Sequence, residues 1–161
     1  MIENQVDKKT ERRSSWIDFL AVVFSFFGAL ISIGGALLVF SSQAQIGMSQ
    51  LWPLPGLVLI DWALLGLIGF IAAYLCFKGV SAKWLHVAWF ITGTFIPLII
   101  LGAFSIGAGV LIVFLLFVVS TIILTIRRRG RLLASFGLLL LGSICNLGIL
   151  FILITLGNQS Y

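Results

Sequence analysis

WLHVAWFITGTFIPLIILGAFSIGAGVLIVFLLFVVSTIILTI, residues 84–126, contains no Asp, Glu, Lys or Arg over 43 positions. As one α-helix it would extend roughly 64 Å, about twice the ~30 Å hydrocarbon core of a bilayer. It therefore has to double back. The segment GAFSIGAG (102–109) sets three glycines and a serine in an otherwise bulky run, and this is where the chain can turn. The reading is a third membrane span at about 84–101, with Pro97 inside it, and a fourth at about 109–126.

Working outward, RRRGR (127–131) separates the fourth span from LLASFGLLLLGSICNLGILFILITL (132–156), the fifth. On the other side, KGVSAK (78–83) is a short loop after LVLIDWALLGLIGFIAAYLCF (57–77), the second span. SSQAQIGMSQLWPLPG (41–56) is uncharged, and Pro53 and Pro55 keep a helix from running through it. WIDFLAVVFSFFGALISIGGALLVF (16–40) is the first span, with Asp18 as its one charge. Its basic approach and Ser42-Gln43-Ala44 resemble a secretory signal and cleavage site. The apolar run is far longer than the ~7–15 residues of a signal core, so an uncleaved anchor is expected. Residues 1–15 read as a short polar cytoplasmic tail, disordered or interfacial, 16–156 as a single transmembrane domain, and 157–161 as a short external tail.

Composition agrees. The chain of 161 residues is 61% hydrophobic and 9% charged, whereas soluble domains run near 45–50% apolar and ~25% charged. The expected fold is all-α, a polytopic bundle of five transmembrane helices. Cys76 and Cys145 lie far apart inside apolar runs, with no C-x-x-C and no Cys/His cluster, so neither a disulfide nor a metal framework is expected.

Charge tests the span count independently. Taken in order, the six non-membrane segments carry 4, 0, 2, 0, 4 and 0 lysines and arginines, so all ten fall on one side. The positive-inside rule then puts the N-terminus in the cytoplasm and the C-terminus outside, which for such a chain suggests the bacterial cytoplasmic membrane. Four spans would set Lys78 and Lys83 against the arginine loop. Trp16 and Trp84 fall at the inner boundary and Trp52 near the outer one, as interfacial indoles should, while Trp62 and Trp89 lie a turn deeper.

Small residues mark packing faces: Ala21, Ser25 and Ala29 beside Gly28, Ser32 and Ala36; Ala63, Gly66, Gly69 and Ala73; and Ser135, Gly142 and Asn146. Such stripes let backbones approach closely, and a bundle packed within one chain is expected, with self-association or docking on other membrane proteins as alternatives.

Intramembrane chemistry is sparse. Asp61, soon after Pro-Leu-Pro-Gly, is the main candidate: either a carboxylate favoured by a helix N-terminus near the interface, or a proton or cation site, or a contact for a partner. Asn146 is expected to hydrogen-bond across helices. A transport reading would use these two, with Thr92 and Thr94. A membrane enzyme acting on lipid or quinone would have to use Asp18 and His86, which form no catalytic constellation with an oriented nucleophile or metal. Nucleotide, metalloprotease and nucleophile-elbow motifs are absent. No cofactor, metal or catalytic residue is expected. Arg127, Arg128, Arg129 and Arg131 read as an orientation signal and a contact for anionic lipid head groups, not a nucleic-acid surface, since a tight turn against the bilayer offers little area. The expected function is that of a small non-catalytic integral membrane protein, a standalone bundle or an accessory subunit.

Overall fold

The structure, a computed structural model, describes residues 3–45, 54–102, 107–128 and 132–158, with side chains over 16–42, 56–102, 107–128 and 132–155. The described residues form five helices and no strand: α1 (Glu3–Gln45), α2 (Leu54–Phe77), α3 (Lys83–Leu101), α4 (Gly107–Arg127) and α5 (Leu132–Asn158). Each contains a stretch long and apolar enough to cross a membrane: Trp16–Ser42, Gly56–Phe77, Lys83–Leu101, Gly107–Arg127 and Leu132–Thr155. Helices satisfy every backbone donor internally, which hydrocarbon demands.

The double-back of the 84–126 run is observed. α3 ends at Leu101, where the Gly102 amide donates to Leu98 O, and α4 begins at Gly107. Pro97 is tolerated within α3, although its ring removes the donor for Gly93 O. Pro55 falls in the first turn of α2, where a missing amide costs nothing. α2 closes with paired bonds from Gly79 N to Cys76 O (3.0 Å) and Val80 N to Leu75 O (3.2 Å). Gly79 supplies the left-handed φ of 75° that this cap requires. Residues 3–15 continue α1 as helix ahead of its apolar stretch.

α1 packs on α2 and α4, and α3 packs on the same two, so α1 to α4 form a four-helix ring in chain order, closed by the α1–α4 seam. α5 lies outside the ring, against α3 and lightly against α2. The ring interior is held by Trp62, Phe95, Phe117, Leu98, Val110 and Val113. Phe95 and Phe117 stack with centroids 5.5 Å apart. The small-residue stripe of α1 is wholly buried. Gly28 and Gly69 accept the Phe117 ring, and Gly66 sits against Ser32. Trp62 and Trp89, at 2% and 4% exposure, are packing residues and not interfacial anchors.

α5 meets α3 backbone to backbone. A Cβ at Gly93 would lie 1.9 Å from Leu139 O, and one at Gly142 2.0 Å from Phe90 O. Ser135, Leu139, Gly142, Asn146 and Leu150 form the buried face of α5. Most of its remaining surface is exposed and apolar, including Leu133, Phe136, Ile144 and Phe151.

Polar bonds cross the helix seams. Ser32 Oγ donates to Trp62 O (2.6 Å) between α1 and α2. Ser120 Oγ donates to Ala21 O (2.8 Å) between α4 and α1. Trp89 Nε1 donates to Thr125 Oγ1 (2.7 Å) between α3 and α4. Asn146 Nδ2 donates to Thr94 O (2.7 Å) between α5 and α3. Each such bond contributes about 0.6–2 kcal/mol in a membrane, where apolar contact alone gives helices little reason to associate.

Candidate functional site

Among the described residues, the charged side chains other than Asp61 gather at one end of the bundle, called the basic end below. Asp18, one turn into the apolar part of α1, meets the last residue of α4. Arg127 Nε donates to Asp18 Oδ1 and Nη2 to Oδ2, both at 3.0 Å. This is the planar two-point pairing that a guanidinium makes and an ammonium cannot. Arg128 donates to Cys76 O at the closing turn of α2, where a cation meets the negative end of the helix. Arg127 and Arg128 therefore tie α4 to α1 and α2 in addition to any contact with lipid. Arg129 and Arg131 lie outside the described residues. Lys78 and Lys83 share this end and are exposed. His86 is exposed on α3, while both Asp18 oxygens are taken by Arg127.

The second polar group lies toward the far end, where α2, α3 and α5 meet. Asp61 falls about 8 Å inside the Gly56 boundary of its span. It is two turns past the start of α2, beyond the single turn over which a helix N-terminus acts on a carboxylate. Its neighbour is instead the Asn146 side chain of α5, a hydrogen-bonding partner of the carboxyl. Asn146 is 1% exposed and donates from Nδ2 to Thr94 O of α3. Thr94 is one residue beyond Gly93, whose carbonyl Pro97 leaves without its helical donor. The two candidates from different spans thus come together on a third helix. Asp61 Oδ2 and Asn146 Oδ1 are buried with no hydrogen-bond partner. Such orphaned oxygens are costly in a low-dielectric interior.

The threonines proposed alongside them do not join this group through their side chains. Thr92 Oγ1 donates to Ala88 O (2.8 Å) and Thr94 Oγ1 to Ile91 O (2.6 Å), each within α3. Among the described residues no three His, Cys, Asp or Glu side chains are grouped to hold a metal ion. Cys76 is buried and Cys145 exposed, and both are free thiols.

Sequence reasoning missed the Asp18–Arg127 pair. The signal was present, because the charge test puts both residues on the same side, each within a turn of the same boundary. It also missed Thr94 O, a backbone acceptor that no residue type announces. No family model matches the chain, and neither a curated protein nor a solved structure is similar to it.

Proposed function

We propose that the chain is a small non-catalytic integral membrane protein, serving as an accessory subunit of a larger membrane complex or as a self-contained bundle. The observation that carries this reading is how the polar side chains are used. Ser32, Ser120, Trp89 and Asn146 bond across helix seams, and Thr92 and Thr94 bond within their own helix. Little is left over to line a path for a polar solute, which needs convergent polar groups near mid-membrane. The outward face of α5 leaves Gly137 and Gly148 open, and small residues of this kind let a neighbouring helix of another membrane protein or of a second copy approach closely.

In this proposal the protein sits in the bacterial cytoplasmic membrane with its N-terminus inside and its C-terminus outside. The basic end then faces the cytoplasmic leaflet. There Arg127, Arg128, Arg129 and Arg131 meet anionic head groups, at about 1 kcal/mol per basic residue near such a surface. Purification of the full chain in mild detergent tests the reading. Stoichiometric co-purification of membrane proteins or a defined self-assembly is expected, and a strictly monomeric protein with measurable solute flux overturns it.

A second reading, a small transporter or channel component, is favoured by one observation: Asp61 and Asn146 meet. It requires that Asp61→Asn abolish a flux in proteoliposomes. An unchanged flux removes it.

A further inference from the structure

We propose that the junction of α2, α3 and α5 binds one monovalent cation, a proton or a sodium ion, through the Asp61 carboxyl, the Asn146 side chain and Thr94 O. Two observations meet there. A carboxyl and an amide from helices far apart in sequence are hydrogen-bonding neighbours inside the span. Each also keeps a buried oxygen without a donor, Asp61 Oδ2 and Asn146 Oδ1, in a residue otherwise placed to pair. Both orphans are acceptors, which a proton, a cation or the O–H groups of a water satisfy; of these, only the first two also offset the charge of a carboxylate held inside the span.

A proton fits directly. Carried on Asp61 Oδ2, it donates to Asn146 Oδ1, while Asn146 Nδ2 stays on Thr94 O at 2.7 Å. A sodium ion fits after a half-turn of the amide, which exchanges Nδ2 for Oδ1. Three oxygens, from a carboxylate, an amide and a backbone carbonyl, then face one another. Such an arrangement is stable only with a cation among them, and all-oxygen ligands suit a hard cation. Thr94 supplies the carbonyl because its oxygen already faces the Asn146 amide across the α3–α5 seam.

Among the described residues no protein charge lies beside these oxygens. The described charges of α3 and α4, Lys83 and Arg127, lie at the basic end with Lys78 and Arg128, as does Asp18 of α1. The other titratable side chains among the described residues are His86 of α3 near the basic end, Tyr74 and Cys76 in the later turns of α2, and Cys145 of α5, which is exposed. The inference is independent of the choice between the two functional readings, because a resident cation can hold an accessory bundle together as readily as serve a transporter.

The test uses the full chain in lipid nanodiscs, wild type beside Asp61→Asn, which keeps the shape of the carboxyl and removes its charge. In the sodium arm the unfolding midpoint is followed in NaCl against choline chloride at equal ionic strength. In the proton arm infrared difference spectra are recorded at neutral pH without sodium, where a protonated-carboxyl band reports Asp61. A sodium-dependent rise in midpoint identifies a sodium site, and the band identifies a proton site. Either must vanish in Asp61→Asn. Asn146→Leu, which keeps the branching of the side chain and removes its polar atoms, should raise the sodium concentration required about tenfold, or move the band's titration by about one pH unit. A wild type with neither response overturns the proposal, as does a response that persists in Asp61→Asn. A flat proteoliposome flux would remove the transport reading and leave these responses in place.

Discussion

At the scale of single residues, the bundle depends on a few polar contacts placed where apolar packing cannot discriminate one helix neighbour from another. The Asp18–Arg127 pair is half-shielded, with side-chain exposures of 27% and 29%, and both its bonds are charge-assisted. Asp18→Asn is expected to lower stability by about 1 kcal/mol, and Arg127→Lys by a similar amount, because lysine cannot repeat the fork. Thermal unfolding in detergent reads both, and the loss should persist in high salt to the extent that the pair is shielded. Trp89→Phe removes the donor to Thr125 while keeping most of the ring volume. It should cost about 0.6–2 kcal/mol by the same measurement. These contacts were only partly legible in the sequence. Opposite charges at the same depth announce Asp18 and Arg127. Depth alone could not say whether Trp62 and Trp89 faced lipid or core, since a residue one turn below the interface can do either. Burial of the Trp62 indole is aided by glycines on other helices, Gly35 and Gly109, which face its ring, whereas Trp89 is drawn inward by its bond to Thr125.

At the scale of elements, α5 differs from the rest. Its attachment to α3 runs through Gly93 and Gly142, where the two backbones leave no room for a methyl group. Gly142→Ala should therefore push the helices apart and destabilise the α3–α5 contact by at least about 1–3 kcal/mol. Gly148→Ala, on the open side of α5 with nothing near an added Cβ, should be neutral. Cysteine cross-linking between α3 and α5 measures the separation. Retained cross-linking in Gly142→Ala would contradict the close approach. The small-residue stripes made this packing readable from sequence, as the alignment of Ser135, Gly142 and Asn146 on one face illustrates. Which stripe meets which was not readable. A GxxxG-like surface carries no label for its partner, and the pairing follows only once the ring closes.

At the scale of the whole molecule, the number of spans was the most legible property, because length and charge constrain it separately. The 84–126 run is too long to cross once, and the basic residues of the loops fall on one side only if it crosses twice. Labelling of introduced cysteines, in a chain with Cys76→Ala and Cys145→Ser, checks the orientation. Positions 43–50 and 158–161 should react from one side of the membrane and positions 5–10 and 79–82 from the other. Reaction of both termini from the same side would contradict an odd number of crossings.

The placement of α5 outside a ring completed by the four preceding helices also has a consequence in time. Each ring helix finds a neighbour as soon as the next one enters the membrane. Asp61 does not, because its partner Asn146 is made more than half a chain length later. At ordinary synthesis rates that interval is on the order of ten seconds. For that period a nascent chain holds a carboxyl in the bilayer against whatever else will accept it: water, lipid head groups or the insertion machinery. The last of the described helices to arrive is thus the one that ends the exposure of Asp61.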